Sequence, residues 1–215
     1  MKVDHKKEPH YRAKMGLLDY LTVPPMDFLK IDGMGDPNTS EEYRDSLGAL
    51  YPLAYRIKFF SKNELGRDYV VMPLEGLWWA DDMNAFASGL DKTSWRWTMM
   101  IMVPNWITAE TIERCRVDVV MKADAPRLIE QVRFERFDEG DALQTLHVGP
   151  YSEEGPVISA MHKKIAGDGH ALSGTHHEIY LSDPRRTHPA KLKTILRQPI
   201  RCSYPCGDSL GSPLS

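Results

Sequence analysis

Residues 147–199 read HVGPYSEEGPVISAMHKKIAGDGHALSGTHHEIYLSDPRRTHPAKLKTILRQP, and the order of signals within them is strand, helix, strand, strand. A strand-like segment from Ala142 to Val148 enters the stretch and stops at the loop Gly149-Pro150-Tyr151. Ser152 stands where a helix cap is expected, and Glu153 and Glu154 follow in the first turn, favourable at the positive end of a helix dipole. Val157, Ile158, Met161 and Ile165 recur at helical spacing and predict a buried stripe. Gly167-Asp168-Gly169 ends that helix. His176 to Leu181 reads as a strand, Ser182-Asp183-Pro184-Arg185-Arg186 as a turn, and Leu192 to Ile200 as the last strand.

The first half of the chain carries the same order. Asp27 to Gly33 reads as a short strand closing on the loop cluster Gly33 to Pro37. Thr39 with Glu42 fits a capping box, and Tyr43, Leu47, Leu50, Ala54 and Ile57 predict one amphipathic helix over 40–60. Pro52 lies inside that helix and is expected to kink or split it. Tyr69 to Pro73 and Leu74 to Ala80 read as strand, 91–94 as a turn, and Trp95 to Val103 as a strong strand closed by Pro104-Asn105. A helix over 108–122 with Thr108 as cap follows, and the second half opens with a strand from Val132 to Phe137.

The two halves can be laid over each other. LKIDGMGDPNTSEEY (29–43) falls on TLHVGPYSEEGPVI (145–158), LEGLWW (74–79) on HEIYLS (177–182), and WTMMIMVP (97–104) on KTILRQP (193–199). This register sets Glu75 against Glu178 and Thr98 against Thr194. The expected fold is α+β: duplicated β-α-β-β units forming a pseudo-two-fold antiparallel sheet, with helices on one side and a central ligand groove. One domain spans 21–201, with repeats of about 21–104 and 130–201. Residues 1–20 read as an N-terminal arm and 202–215, with Cys202 and Cys206, as a loose polar tail.

Composition narrows the function. The 215 residues carry 27 Lys and Arg against 30 Asp and Glu, a formal net charge of -3, so no basic excess points to a nucleic-acid partner. No apolar run is long enough to span a bilayer. The charged start Met1 to Glu8 predicts no secretory signal, and three sparse cysteines suit a reducing compartment, so a cytoplasmic location is expected. No phosphate loop, dinucleotide fingerprint or nucleophile elbow is present, and no cofactor is expected.

Candidate site residues come from the strands. Glu75 sits among Leu and Trp, a costly place for a carboxylate that is not solvated, paired or used. Trp78 and Trp79 point to opposite faces of a regular strand, so at most one enters a groove unless a bulge intervenes. Trp95 and Trp97 share a face of the next strand. Tryptophans near a carboxylate suit a flat aromatic or cationic ligand; the plainer reading is that they are core. Glu178 and Tyr180 share a strand face, where a carboxylate beside a phenol can hold and activate a water. His176 and His177 alternate, and no distant Cys or His set completes them, so no metal site is expected. Arg185 and Arg186 read as ion-pair partners in their turn.

The blocks HHEIYLSDPRR, KLKTILRQP and PLEGLWW (73–79) closely resemble the GyrI-like small-molecule-binding proteins, over roughly residues 20–201. The resemblance implies the duplicated fold with an amphipathic groove. In multidrug-responsive regulators such a domain follows a DNA-binding module and holds cationic aromatic drugs around a glutamate. The 20 or so residues before the domain here are too few for a helix-turn-helix unit. Some stand-alone members hydrolyse the strained cyclopropane of DNA-alkylating natural products. Carried over, the glutamates are Glu75 and Glu178, the tyrosine is Tyr180, and the aromatic wall is Trp78 and Trp79; Trp97 and Tyr151 are further candidate ligand contacts. Two functions follow: an enzyme in which Glu178 activates water for ring opening, with Tyr180 and Glu75 as polar anchors, or a protein that binds or sequesters flat cationic aromatics without turnover. A third expectation, modulation of a protein partner such as a topoisomerase, is neither supported nor excluded by the charge pattern. The oligomeric state is not legible.

Overall fold

The structure is a computed structural model and describes residues 1–79 and 92–203. Nine strands are present among them: β1 (Asp19–Val23), β2 (Met26–Met34), β3 (Leu74–Trp79), β4 (Arg96–Val103), β5 (Arg133–Phe137), β6 (Gly140–Val148), β7 (His170–Leu172), β8 (His176–Tyr180) and β9 (Lys193–Cys202). Three α-helices accompany them: α1 (Glu41–Glu64), α2 (Ala109–Val120) and α3 (Gly155–Gly167). The sheet order is β1-β6-β9-β8-β3-β4-β2-β5, every pairing is antiparallel, and β7 joins β9 off this path.

The order reads the same from both edges once β1 is matched with β5, β2 with β6, β3 with β8 and β4 with β9. A pseudo-two-fold axis therefore crosses the sheet between β3 and β8. Each repeat opens with a strand ahead of the β-α-β-β unit: the sequence signalled that of the second half, Val132 to Phe137, but not β1 of the first. The leading strands β1 and β5 pair not with their own halves but with β6 and β2 of the other, so the repeats are clasped at both outer edges. Val23 lies opposite Gly140 and Met26 opposite Phe137, two pairs that exchange under the symmetry.

The helices lie on one face. Leu143 and Leu196 point up to Met161 and Ile165 of α3. Register carries that face from Leu196 to Glu178, from Glu178 to Gly76, and from Trp78 to Trp97. Tyr43 of α1 stacks on Trp78 and meets Trp97 edge-on, with centroids 6.4 and 5.3 Å away. Leu50, Leu53 and Ile57 of α1 join Leu29, Ile31, Met99 and Ile101 in a fully buried core, each such side chain stabilising by about 1.5–3 kcal/mol. Helix α1 rests on β2 and β4, and α3 on β6, β7 and β9. The central pair β3–β8 is thus the floor of a groove between them.

Several local expectations are corrected. Ser40, not Thr39, caps α1, its hydroxyl accepting from Tyr43 N at 3.2 Å. The helix runs on to Glu64, with Pro52 inside it and no break. Ser152 caps nothing: it lies in a 3-10 turn, Tyr151–Glu153, and α3 begins only at Gly155. Residues 69–73 are not strand; Tyr69 makes one isolated bridge, to Val3. Ala80, Asp91 and most of the tail, Cys206 included, lie outside the described residues. The N-terminal segment forms two 3-10 turns, His5–Lys7 and Pro9–Tyr11, with His10 and Tyr11 buried.

Candidate functional site

Glu178 lies at the centre of the groove floor, on β8 directly opposite Gly76 of β3. Its side chain is only 12% exposed. Its Oε2 accepts from the Tyr180 hydroxyl at 2.7 Å, and that hydroxyl in turn accepts from Trp78 Nε1 at 2.9 Å. The Trp78 donor fixes the phenol so that its proton points at the carboxylate. Gly76 makes the arrangement possible: a Cβ there would come within 2.7 Å of Trp78 Nε1 and 3.1 Å of the Tyr180 oxygen. Rings close the walls. Tyr151 meets Tyr180 edge-on at 5.7 Å, Trp95 meets Trp78 at 5.9 Å, and Tyr43 covers Trp78 from α1.

Burial pushes the Glu178 carboxyl up to about 7, against the opposing pull of the Tyr180 hydrogen bond, His177 and Lys92. A second carboxyl shares this environment. Glu154, 4% exposed, is raised to about 9 by burial and by the charge of Glu178. Tyr180 is held well above the usual phenol range by burial and by Glu178. The site therefore couples two carboxyls of unequal acidity to a neutral phenol in an aromatic setting.

Glu75 is elsewhere. It is paired with Ile179 and projects from the opposite face of the sheet, where it is wholly buried. The expectation that Glu75 and Glu178 open onto one groove is not met, and the reason is register. The symmetry that matches the strands sets Gly76 on Glu178, Trp78 on Tyr180 and Glu75 on His177. The superposition made on sequence is one residue off, and a slip of one residue in a strand exchanges its faces. Trp79, opposite Arg96, also lies on the far face, so it is no wall of the groove beside Trp78. Trp97 shares the Trp78 face but is fully buried beneath Tyr43 and packs flat over Gly33, where a Cβ would collide with its ring. Thus Glu178, Tyr180, Trp78 and Tyr151 are brought together, and Glu75 and Trp79 are not.

Glu75 instead belongs to a buried charge chain. It accepts from the Tyr11 hydroxyl at 2.7 Å and lies 3.0 Å from His177 Nε2. His177 Nδ1 is 2.8 Å from Glu139, which also pairs with Arg197 at 2.7 Å. Arg197 donates to Gln144 at 3.2 Å and to the His10 carbonyl, and Gln144 donates to the Arg12 carbonyl at 3.0 Å. Two carboxylates, one guanidinium and one imidazolium balance in charge. Both His177 nitrogens are engaged, and His176 points the other way, toward Glu178.

Sequence reasoning overlooked Gly76, Tyr43 and Glu154. A glycine within the strong strand signal of 74–79 was the available sign of a close approach. Glu154 read as an ordinary first-turn acid. Arg185 and Arg186 both turn back on Asp183. Among the described residues no helix is long and apolar enough to cross a membrane.

Residues 19–201 match the GyrI-like small molecule binding domain, and the chain belongs to that family. Its fold is similar to an uncharacterized conserved protein of Listeria innocua, with 38% identity over 93% of this chain and 100% of the other at a TM-score of 0.83. Two structures described as hydrolases of the same organism are similarly near. One has 37% identity, coverage of 93% and 100%, and a TM-score of 0.79. The other has 36% identity, coverage of 94% and 100%, and a TM-score of 0.82. No curated protein matches the chain.

Proposed function

We propose that the protein is a hydrolase of small aromatic molecules whose substrates carry a cyclopropane fused to a dienone, and that it disarms such alkylating compounds by adding water. The observation that carries this reading is the Trp78–Tyr180–Glu178 relay on the floor of an aromatic groove. The hydrolase descriptions of two relatives near 37% identity support the reaction class. A carboxyl near 7 is a base matched to neutral solution: it is partly ionised there, yet basic enough to take a proton. Glu178 orients and deprotonates the water. Tyr180, locked by Trp78, holds the carboxylate and shapes the water's approach. Tyr151, Trp95 and Tyr43 grip the flat ring system.

The test is incubation with a cyclopropane-bearing dienone and detection by mass spectrometry of a product heavier by one water. Glu178→Gln should bind a neutral substrate about as well and hydrolyse it roughly 100-fold or more slowly. Tyr180→Phe is the charge-neutral control. No product from the wild type, with Glu178→Gln losing only affinity for cations, would instead establish a binding or sequestering protein.

A further inference from the structure

The position of Glu154 is unusual for its place in the chain. It is the residue at the N-cap of α3, yet its side chain makes no capping hydrogen bond. Pro156, in the first turn, has no N–H to offer. The glutamate side chain is buried and lies near Thr194, whose hydroxyl also has no hydrogen-bond partner among the described residues. Thr194 stands on β9 directly opposite Tyr180, and Tyr180 is two residues along the same strand face from Glu178. Glu154 Oε1 is buried with no hydrogen-bond partner among the described residues. A carboxylate left so would be strongly penalised, whereas a neutral carboxyl would not. The groups that face it are Glu178, Tyr180, Tyr151, Thr194 and, as a cation, Lys92.

We propose that Glu154 is the general acid that partners Glu178, delivering a proton to the substrate oxygen on which charge collects as the ring opens. The inference rests on the hydrolase reading above. The oxygen of water forms a bond to the ring carbon while one cyclopropane C–C bond breaks. The released electron pair moves through the dienone to its carbonyl oxygen, which takes the proton of Glu154 and becomes a phenol. Glu178 takes one proton from the water. The product has gained one water, and transfer of a proton from Glu178 to Glu154 restores the starting pair. Two carboxyls whose environments hold their acidities apart are the recurring arrangement for acid–base work, and burial and the neighbouring Glu178 keep Glu154 protonated up to about pH 9.

The pH–rate profile of the full chain tests this. Wild-type kcat should rise through pH 7 as Glu178 ionises and fall through pH 9 as Glu154 does. In Glu154→Gln, kcat should drop about 100-fold and the alkaline fall should vanish while the acidic rise stays. In Thr194→Val the loss of the hydroxyl that favours the anion should move the alkaline fall upward. Infrared difference spectra of ligand-free protein supply a readout that needs no substrate: a protonated carboxyl signal at pH 8 should be present in the wild type and absent in Glu154→Gln. An alkaline fall that survives in Glu154→Gln, or is unmoved in Thr194→Val, or a carboxyl signal that persists without Glu154, overturns the proposal and leaves the hydrolase reading intact. A wild type that forms no product sinks the hydrolase reading, and the acid role with it.

Discussion

Gly76 shows how one missing side chain makes room for a site. Its pseudo-symmetric counterpart is Glu178, so one half of the sheet supplies a carboxylate and the other supplies the space in front of it. In Gly76→Ala the new methyl would meet Met99 Cε and Trp78 Nε1, each at 2.7 Å. Trp78 must then shift and release the Tyr180 hydroxyl. The expected loss of stability is about 1–3 kcal/mol, measurable by urea denaturation. The expected fall in turnover is larger than that in Tyr180→Phe, because the substitution disorders the relay and also narrows the groove. Wild-type kinetics in Gly76→Ala would remove the relay from the mechanism.

At the level of elements, α1 explains why a proline need not break a helix. Pro52 lacks the N–H that would bond the carbonyl of Gly48 and its ring crowds that carbonyl. Both residues are exposed on the outer side of α1, so the freed carbonyl is open to solvent. Gly48, without a Cβ, gives the backbone there more freedom to adjust. The buried stripe of Leu50, Leu53 and Ile57 holds the helix together across the fault. Pro52→Ala should therefore raise stability by about 1–3 kcal/mol without altering turnover, a change to be read from the denaturation midpoint. A destabilised Pro52→Ala would show that the proline shapes α1 for its fit to the sheet. The start of α3 teaches a related point: a serine in the right sequence position caps nothing when Gly155 and Pro156 set the helix start further on.

At the scale of the whole molecule, the face away from the helices is closed by the N-terminal segment, tied down through Tyr11 and the carbonyls of His10 and Arg12. The chain of Glu75, His177, Glu139 and Arg197 is fully buried, so removing one member leaves a charge unpaired. Arg197→Ala should cost about 3–5 kcal/mol. The network also sets a pH window. His177 is raised from 6.5 to about 8, chiefly by Glu139 and Glu75 against the opposing effect of burial. Its contribution is complete below pH 6.5 and is lost as pH rises through 8, a change of roughly 2 kcal/mol. Glu139 is lowered from 4.5 to about 2 by His177 and Arg197, which outweigh burial. Its contribution is present above pH 4.5 and is lost as pH falls through 2. Unfolding free energy measured across pH should show the network's full effect between about 4.5 and 6.5, and Glu139→Gln should remove the loss seen above pH 7. An alkaline decline unchanged in that variant would mean that His177 is not its source.

Most of the order of strands and helices, the duplication, and the shared strand face of Glu178 and Tyr180 were legible in the sequence; β1 and β7 were not. Hydrophobic periods, turn residues and the two-residue alternation of strands are local signals, and a repeated order of such signals survives drift in individual residues. The register between strands was not legible. It is decided by pairing between segments far apart in the chain, such as Gly76 with Glu178 and Leu77 with His177. One residue of slip moved Glu75 from a paired site to a buried charge network on the other face. The exchange of β1 and β5 between halves, the seating of the N-terminal segment under the sheet and the burial of Glu154 are likewise products of long-range packing. Each depends on which surfaces meet in three dimensions, and no stretch of sequence contains both partners.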